Sequence, residues 1–200
     1  YGDATAFDDK DDLQSLAALR PLNAYGWSKA LFDLFAARQA ARDYAPPQWV
    51  GLKFFNVYGP NEEHKHSMKS VASQIWPKVA GGQAVQLFKS YREGVADGGQ
   101  TRDFVYVRDV ADVVAWLANS EQVNGVYNLG SGKARTFEDM AKAVFAAAGK
   151  PAKIEYTPMP PAIRDKYQYF TQAKMDRLKA AGFNQSMTAL EDGITDYIQT

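Results

Sequence analysis

Tyr25 and Lys29 are the side chains whose types and spacing point most directly to chemistry. They lie near the start of an alanine-rich stretch that reads as a helix, where a separation of four residues puts both on one face, about 6 Å apart along the axis. A free tyrosine hydroxyl has a pKa of about 10, too high for a base near neutrality. An ammonium beside it favours the phenolate. Two unit charges roughly 5–6 Å apart attract by about 3 kcal/mol at an effective dielectric of about 20. A phenolate primed in this way takes the proton of an alcohol while an acceptor takes the hydride from the same carbon. Tyr and Lys at this spacing are common helix-surface decoration, so the pair gains weight only from its surroundings.

Other groupings carry less. Glu62, Glu63, His64 and His66 invite a metal reading, but the chain holds only two His, and alternation in a loop is not the helical His-Glu-x-x-His arrangement, so no metal site is expected. Gly130-Ser131-Gly132 lacks the Lys-Ser/Thr ending of a phosphate loop. The four Trp and eleven Tyr are not interleaved with a basic stripe, which argues against nucleic acid.

The elements that must position Tyr25 and Lys29 follow from the pattern. Residues 1–22 are polar and read as loop. A helix is expected over 24–42, capped by Asn23, with Leu31, Phe32, Leu34 and Phe35 on its apolar side and Pro46-Pro47 beyond its end. The nearly continuous apolar run 49–57 suits a strand covered on both faces, as in a parallel sheet. A turn at Tyr58-Gly59-Pro60-Asn61 and a charged loop lead to a helix over 67–79, with Pro77 as a place to bend. Short strands are expected at 84–89, 104–107, 126–129 and 154–156, and helices at 110–117, 137–148, 172–181 and 188–198. In the 137–148 helix Phe137, Met140, Ala141, Val144 and Phe145 form one stripe, and Thr136 with Asp139 resembles a capping box. Alternating strands and helices argue for α/β with a largely parallel sheet.

Composition sets the bounds. The 200 residues are 46% hydrophobic and 23% charged, ordinary for a globular chain long enough to bury a core. Lys+Arg 23 balances Asp+Glu 23, leaving no net field toward nucleic acid or an anionic membrane. With no Cys there is no disulfide and no thiolate catalysis, which fits a reducing compartment. No apolar run approaches the roughly 20 residues of a spanning helix. The chain opens on Tyr1-Gly2-Asp3 rather than Met, and the expectation is a piece of a longer protein.

Four blocks in order, Tyr25-x-x-x-Lys29, Lys53-Phe54-Phe55-Asn56-Val57-Tyr58-Gly59-Pro60, Arg102-Asp103-Phe104-Val105-Tyr106-Val107-Arg108-Asp109-Val110-Ala111 and Asn128-Leu129-Gly130-Ser131-Gly132, resemble the extended short-chain dehydrogenase/reductases, which modify nucleotide-activated sugars. The order is far more specific than any single block. Asn61-Glu62-Glu63-His64-Lys65-His66-Ser67-Met68, Asp97-Gly98-Gly99-Gln100 and Lys166-Tyr167-Gln168-Tyr169-Phe170-Thr171-Gln172 narrow the resemblance to the branch that inverts C6 of an ADP-activated heptose for lipopolysaccharide core-sugar supply. The resemblance covers nearly the whole chain but only the C-terminal two-thirds of the family protein. It implies the C-terminal part of a doubly wound, Rossmann-type parallel sheet with a smaller α/β substrate-binding domain. Residues 1–58 and 102–132 would belong to the dinucleotide-binding domain, and 59–101 and 133–200 to the substrate side. The family's Gly-x-x-Gly-x-x-Gly turn, whose backbone N–H groups approach a cofactor pyrophosphate, has no counterpart here, and its catalytic Ser/Thr is expected upstream of Tyr1. By itself the chain is therefore not expected to hold a dinucleotide.

The resemblance also implies the roles. NADP, with NAD as the alternative, takes hydride from the heptose C6, the transient carbonyl turns, and the same hydride returns to its other face. Tyr25, Lys29 and Lys65 are the implied catalytic residues, Lys65 as the second acid/base group addressing the turned oxygen. Tyr25, Lys29, Val57 and Lys65 are expected at the cofactor, with Lys29 on the nicotinamide ribose. Asn56, Ser67, Phe88, Lys89, Ser90, Arg102 and Tyr167 are expected at the ADP-sugar, with the planar guanidinium of Arg102 on the diphosphate. A cytoplasmic homo-oligomer is implied as well. His66 stands where many relatives carry Gly, which permits backbone angles that His does not. Two rivals remain: another extended reductase (a UDP-hexose 4-epimerase or a dTDP-sugar 4,6-dehydratase), and a non-catalytic nucleotide-sugar binder that kept the fold. A dehydratase would want a Glu near the tyrosine, and a binder would not need a tunable phenol.

Overall fold

The computed structural model describes residues 7–21, 23–164 and 167–199. The expectations attached to Tyr1-Gly2-Asp3 and to Lys166 lie outside the described residues.

The segment expected as loop up to residue 22 contains a short helix, α1 (Leu13–Ala18), capped by Asp12, whose carboxylate accepts from Ser15 N at 2.8 Å. Six residues are too few to display a helical period, which is why pattern reading passed over it. Next comes α2 (Ala24–Ala40), capped as expected: Asn23 has extended backbone and its side-chain oxygen accepts from Gly26 N at 2.8 Å. Its buried residues are Ala30 and Ala37, whereas Leu31, Phe32 and Phe35 are exposed, the opposite of the expected core-facing side. Small residues let α2 lie close on its neighbours, so its large apolar side chains point outward.

The run 49–57 is not one strand. It divides into β1 (Val50–Phe54) and β2 (Asn56–Tyr58) at Phe55, and β1 is only half-buried, with Phe54 exposed, rather than covered on both faces. The division is a change of partner. Beyond it come a 3₁₀ helix (Glu63–Met68), α3 (Val71–Ala80, with Pro77 inside it), β3 (Val85–Phe88), β4 (Thr101–Tyr106), α4 (Val107–Ala118) and β5 (Gly125–Leu129). The expected helix 67–79 therefore begins later and is preceded by a separate turn of tighter helix, because the side chain of Ser70 caps α3 by accepting from Ser73 N. The chain continues with β6 (Ala134–Thr136), α5 (Phe137–Ala147), β7 (Ile154–Thr157), α6 (Pro161–Arg164), α7 (Asp176–Ala180) and α8 (Leu190–Gln199). β6 and α6 were not foreseen, and the helix expected over 172–181 is reduced to α7, because residues 169–173 bond to β4 and its flanking turn instead.

β1 pairs with β5 in parallel, β2 with β4 in parallel, and β3 with β7 in parallel, while β6 adds to β4 antiparallel. The fold is α/β with parallel pairing dominant, as the alternation implied. Phe55 is the point where the chain leaves β5 and joins β4: its N–H still donates to Leu129 O at 3.0 Å, while the next residue, Asn56, already faces Phe104. Where neighbouring parallel strands diverge at their C-terminal ends a crevice opens, the usual location of ligands in such sheets.

Two apolar clusters hold the elements. One joins Tyr58, Ile75, Val79, Val85, Phe104 and Tyr106 to the α5 stripe of Met140, Val144 and Phe145 and to Ile194 of α8. The other gathers Val113, Leu117, Tyr127, Leu129, Met175, Leu178 and Phe183 around β5. Each large side chain so buried contributes roughly 1.5–3 kcal/mol. The capping box of α5 is complete, with Thr136 Oγ1 accepting from Asp139 N at 2.8 Å and Asp139 Oδ2 accepting from Thr136 N at 3.0 Å.

Candidate active site

Tyr25 and Lys29 occupy the first turns of α2, and both are exposed. Gly26 beside them packs tightly, since a Cβ there would lie 3.0 Å from Pro21 Cβ. Lys29 Nζ lies 5.2 Å from the centre of the Tyr25 ring, so the two side chains converge instead of diverging. Both face a cleft of about 540 Å³ that also receives Asn56, Asn128, Gln168 and Thr171. Water screens an exposed pair well below the attraction available to a dry one, so their coupling strengthens when a ligand fills the cleft and expels solvent. Among the described residues neither Tyr25 nor Lys29 side chain carries a carboxylate or a hydrogen-bond partner that would compete with a ligand.

Sequence reasoning missed several residues of this cleft. Lys53, on β1, lies almost buried at its edge, 3.5 Å from Asp33 of α2. Burial pulls its ammonium below the ordinary lysine value, and Asp33 opposes that pull. Asn128 is fixed from three sides: its N–H donates to Asp9, and its amide donates to Phe7 O at 2.7 Å and Lys174 O at 3.1 Å. The alternation of β1 marks Lys53 as facing opposite to Leu52, but nothing local announces that residues 7–9 return to cover Asn128.

A second group forms around Arg102 on β4. Its guanidinium lies over the rings of Tyr167, at 5.2 Å, and Phe137, at 5.4 Å, and donates to Thr101 O at 2.8 Å. Burial draws its pKa down from the usual arginine value, and no carboxylate pairs with it among the described residues. Arg102 pairs with neither of the nearby aspartates: Asp103 accepts from Ser131, Gly132 and Ala173, and Asp109 from Thr188. Tyr167 also stands edge-on to Phe88, 6.3 Å between centroids. Phe88, Tyr167 and Phe137, with Gln74 and Gln100, line a pocket of about 560 Å³. Burial raises the Tyr167 hydroxyl pKa, with Arg102 opposing. Three of the expected substrate residues, Phe88, Arg102 and Tyr167, are thus brought together. Ser90 is half-buried beside them, its N–H donating to Asp97 at 2.7 Å, and Lys89 is exposed.

Lys65 and Ser67 are exposed on the 3₁₀ helix and line neither the cleft nor the pocket. Lys65 Nζ lies 3.5 Å from Glu62, whose buried carboxylate also accepts from Gly59 N and Ser70 N and so holds the turn closed. Val57 is half-buried and pairs with Val105, away from the cleft lining. His66 has φ 49° and ψ −120°, backbone that suits glycine and strains a residue with a side chain.

An exposed tyrosine and lysine on a helix start stand beside a crevice at a strand divergence, and a cation clasped by aromatic rings lies next to an apolar pocket, on an α/β fold with parallel pairing. Residues 1–130 match the NAD dependent epimerase/dehydratase family, and the chain belongs to it. Among curated relatives, it is 47% identical over 199 residues to the ADP-L-glycero-D-manno-heptose-6-epimerase of Nitratidesulfovibrio vulgaris strain DP4, covering 100% of this chain and 60% of that one. It is 42% identical to the enzyme of the same name from Fusobacterium nucleatum, covering 96% and 59%. Among solved structures, Helicobacter pylori ADP-L-glycero-D-manno-heptose-6-epimerase superposes with a TM-score of 0.74 at 26% identity, over 99% of this chain and 57% of that one. Thermus thermophilus UDP-glucose 4-epimerase, solved with NAD, gives 0.73 at 30% identity over 90% and 54%. The chain spans about 60% of the length of the curated relatives it matches.

Proposed function

We propose that the protein is an isomerase that inverts C6 of an ADP-activated heptose, oxidising it transiently and returning the same hydride. The observation that carries this reading is the convergence of Tyr25 and Lys29 on the crevice at the β1/β2 divergence. The relatives named for this reaction align along the whole chain and supply the choice of sugar.

The nicotinamide end of a dinucleotide fits the residues present, because Lys29 and Tyr25 offer an uncommitted ammonium and hydroxyl at the cleft mouth. When bound, the nicotinamide supplies a site that takes a hydride from an alcohol carbon and gives it back. Lys29 would hold a ribose hydroxyl and keep a positive charge near Tyr25. Tyr25 would take the C6 hydroxyl proton as the hydride leaves. Asn56 and Thr171 orient the sugar. Arg102 neutralises the diphosphate, and Phe88 and Tyr167 enclose the nucleotide side. Lys65 serves the turned oxygen, which requires the 3₁₀ helix to fold over the cleft; its tether to Glu62 is the contact that must give way. NADP over NAD, and a cytoplasmic homo-oligomer, belong to this reading by kinship alone. The division into a dinucleotide side (1–58, 102–132) and a substrate side (59–101, 133–200) draws support from pairing: β1 and β2 bond to β5 and β4, and β3 bonds to β7.

The test is incubation of the whole protein with NADP or NAD and ADP-heptose, with the C6 configuration read by NMR. Inversion at C6 is expected. Turnover of a UDP-hexose at C4 instead would favour the rival enzyme, and tight binding without inversion would favour a binder.

A further inference from the structure

Asp103, on β4 next to Arg102, is fully buried and has no cation beside it among the described residues. Its carboxylate is satisfied entirely by neutral donors from two other parts of the chain. Oδ1 accepts from Ser131 N at 2.6 Å and Ser131 Oγ at 2.7 Å; Oδ2 accepts from Gly132 N at 2.9 Å and Ala173 N at 2.8 Å. The backbone of the same region continues the attachment. Asp103 N donates to Thr171 Oγ1 at 3.1 Å, Thr101 N donates to Tyr169 O at 2.9 Å, and Gln172 Nε2 donates to Gly132 O at 3.0 Å. Packing is equally close, since a Cβ on Gly130 would lie 2.6 Å from Ala173 Cβ and 2.8 Å from Asp103 Oδ2.

Among the described residues, the segment held in this way, 167–173, is the stretch that reaches both halves of the candidate site. Tyr167 lies against Arg102 and lines the Phe88 pocket, and Gln168 and Thr171 line the Tyr25 cleft. Three residues separate Tyr167 from Thr171, so their register on β4 sets the span between nucleotide end and reacting end. We propose that Asp103 is a positioning residue that fixes this register, so that an ADP-sugar anchored at Arg102 and Tyr167 reaches Tyr25. A carboxylate does this where an amide cannot: four donors converge on it, and an Asn would turn an NH₂ group toward at least one of them. This role rests on the function proposed above.

The test compares Asp103→Asn with wild type in the whole protein, well below each variant's own Tm. Three readouts are used: KM and kcat for ADP-heptose, the dissociation constant for ADP, and hydrogen exchange over 167–173. The expected result is a KM and an ADP dissociation constant each raised at least tenfold, with exchange over 167–173 at least tenfold faster. A carboxylate that merely stabilised the fold would lower Tm and leave both constants within twofold of wild type, and that result overturns the proposal, as does unchanged exchange. If the variant is insoluble, Ser131→Ala removes one hydroxyl donor and is expected to raise the ADP dissociation constant about threefold; no change overturns the proposal. A wild type that does not turn over ADP-heptose overturns the functional reading instead, and ADP binding with hydrogen exchange then decides the role of Asp103 alone.

Discussion

Arg102 is the residue whose surroundings say most about its partner. A guanidinium that is largely withdrawn from water, stacked on Phe137 and Tyr167 and lacking a carboxylate, is poised for an anion supplied from outside. Arg102→Ala is expected to raise KM for the ADP-sugar by tenfold or more, in line with the roughly 1.5–3 kcal/mol of a charged hydrogen bond, and to change kcat less; steady-state kinetics check this. Arg102→Lys should rescue only part of the loss, because a point charge neither stacks nor makes paired contacts. Under the proposed mechanism, in which the hydride is returned and not exchanged with solvent, deuterium placed at C6 of the substrate should be found at C6 of the product; mass spectrometry of the product reads this directly. At this scale the sequence was most informative where motif and geometry coincide. Tyr25, Lys29 and Asn56 meet at one cleft; Phe88 and Tyr167 line one pocket, and Arg102 lies against the Tyr167 ring. Asp103 and Lys53 were visible in the quoted blocks but passed over, because burial and cross-chain bonding leave no local signature.

At the scale of elements, helices with caps were the most legible. Asn23 and Thr136 each begin a helix with the bond that their residue type foretells. Thr136→Ala is expected to lower stability by about 1 kcal/mol, read as a shifted denaturation midpoint with unchanged slope. His66→Gly should raise stability by about 1 kcal/mol, since the backbone there at φ 49° costs a side-chain-bearing residue strain that glycine avoids; the same measurement checks it. What escaped the sequence was partner choice. The run 49–57 has the composition of a single buried strand, and only tertiary pairing reveals that it serves β5 first and β4 afterwards. The same cause removed half of the expected 172–181 helix: residues on either side of 172 find better acceptors and donors on β4 and Gly132 than along a helix axis.

Across the whole molecule, the parallel pairings and two apolar clusters match what the alternation of strands and helices implied. The exposed apolar face of Leu31, Phe32 and Phe35 on α2 does not, since periodicity shows which residues share a face but not whether that face is covered. Buried hydroxyls make the fold sensitive to alkali. Burial, with Asp196 adding to it, pushes the Tyr106 hydroxyl up from an ordinary 10.0 to about 12, and burial raises Tyr58 as well. Both groups keep their protons in the folded state while the unfolded chain loses them. The Tyr106 contribution is therefore complete below about pH 10 and lost as pH rises through about 12. Urea midpoints should fall across that window, and Tyr106→Phe should flatten the fall. Among the described residues, no helix is long and apolar enough to cross a membrane.

The most direct test of the account is the turnover of Tyr25→Phe in the whole protein with ADP-heptose, measured beside its thermal melt. Loss of the phenolic proton-transfer group is expected to cut kcat by at least 100-fold while leaving the melt and the affinity for ADP essentially as in wild type. A folded Tyr25→Phe protein that inverts C6 within a few-fold of the wild-type rate would contradict it.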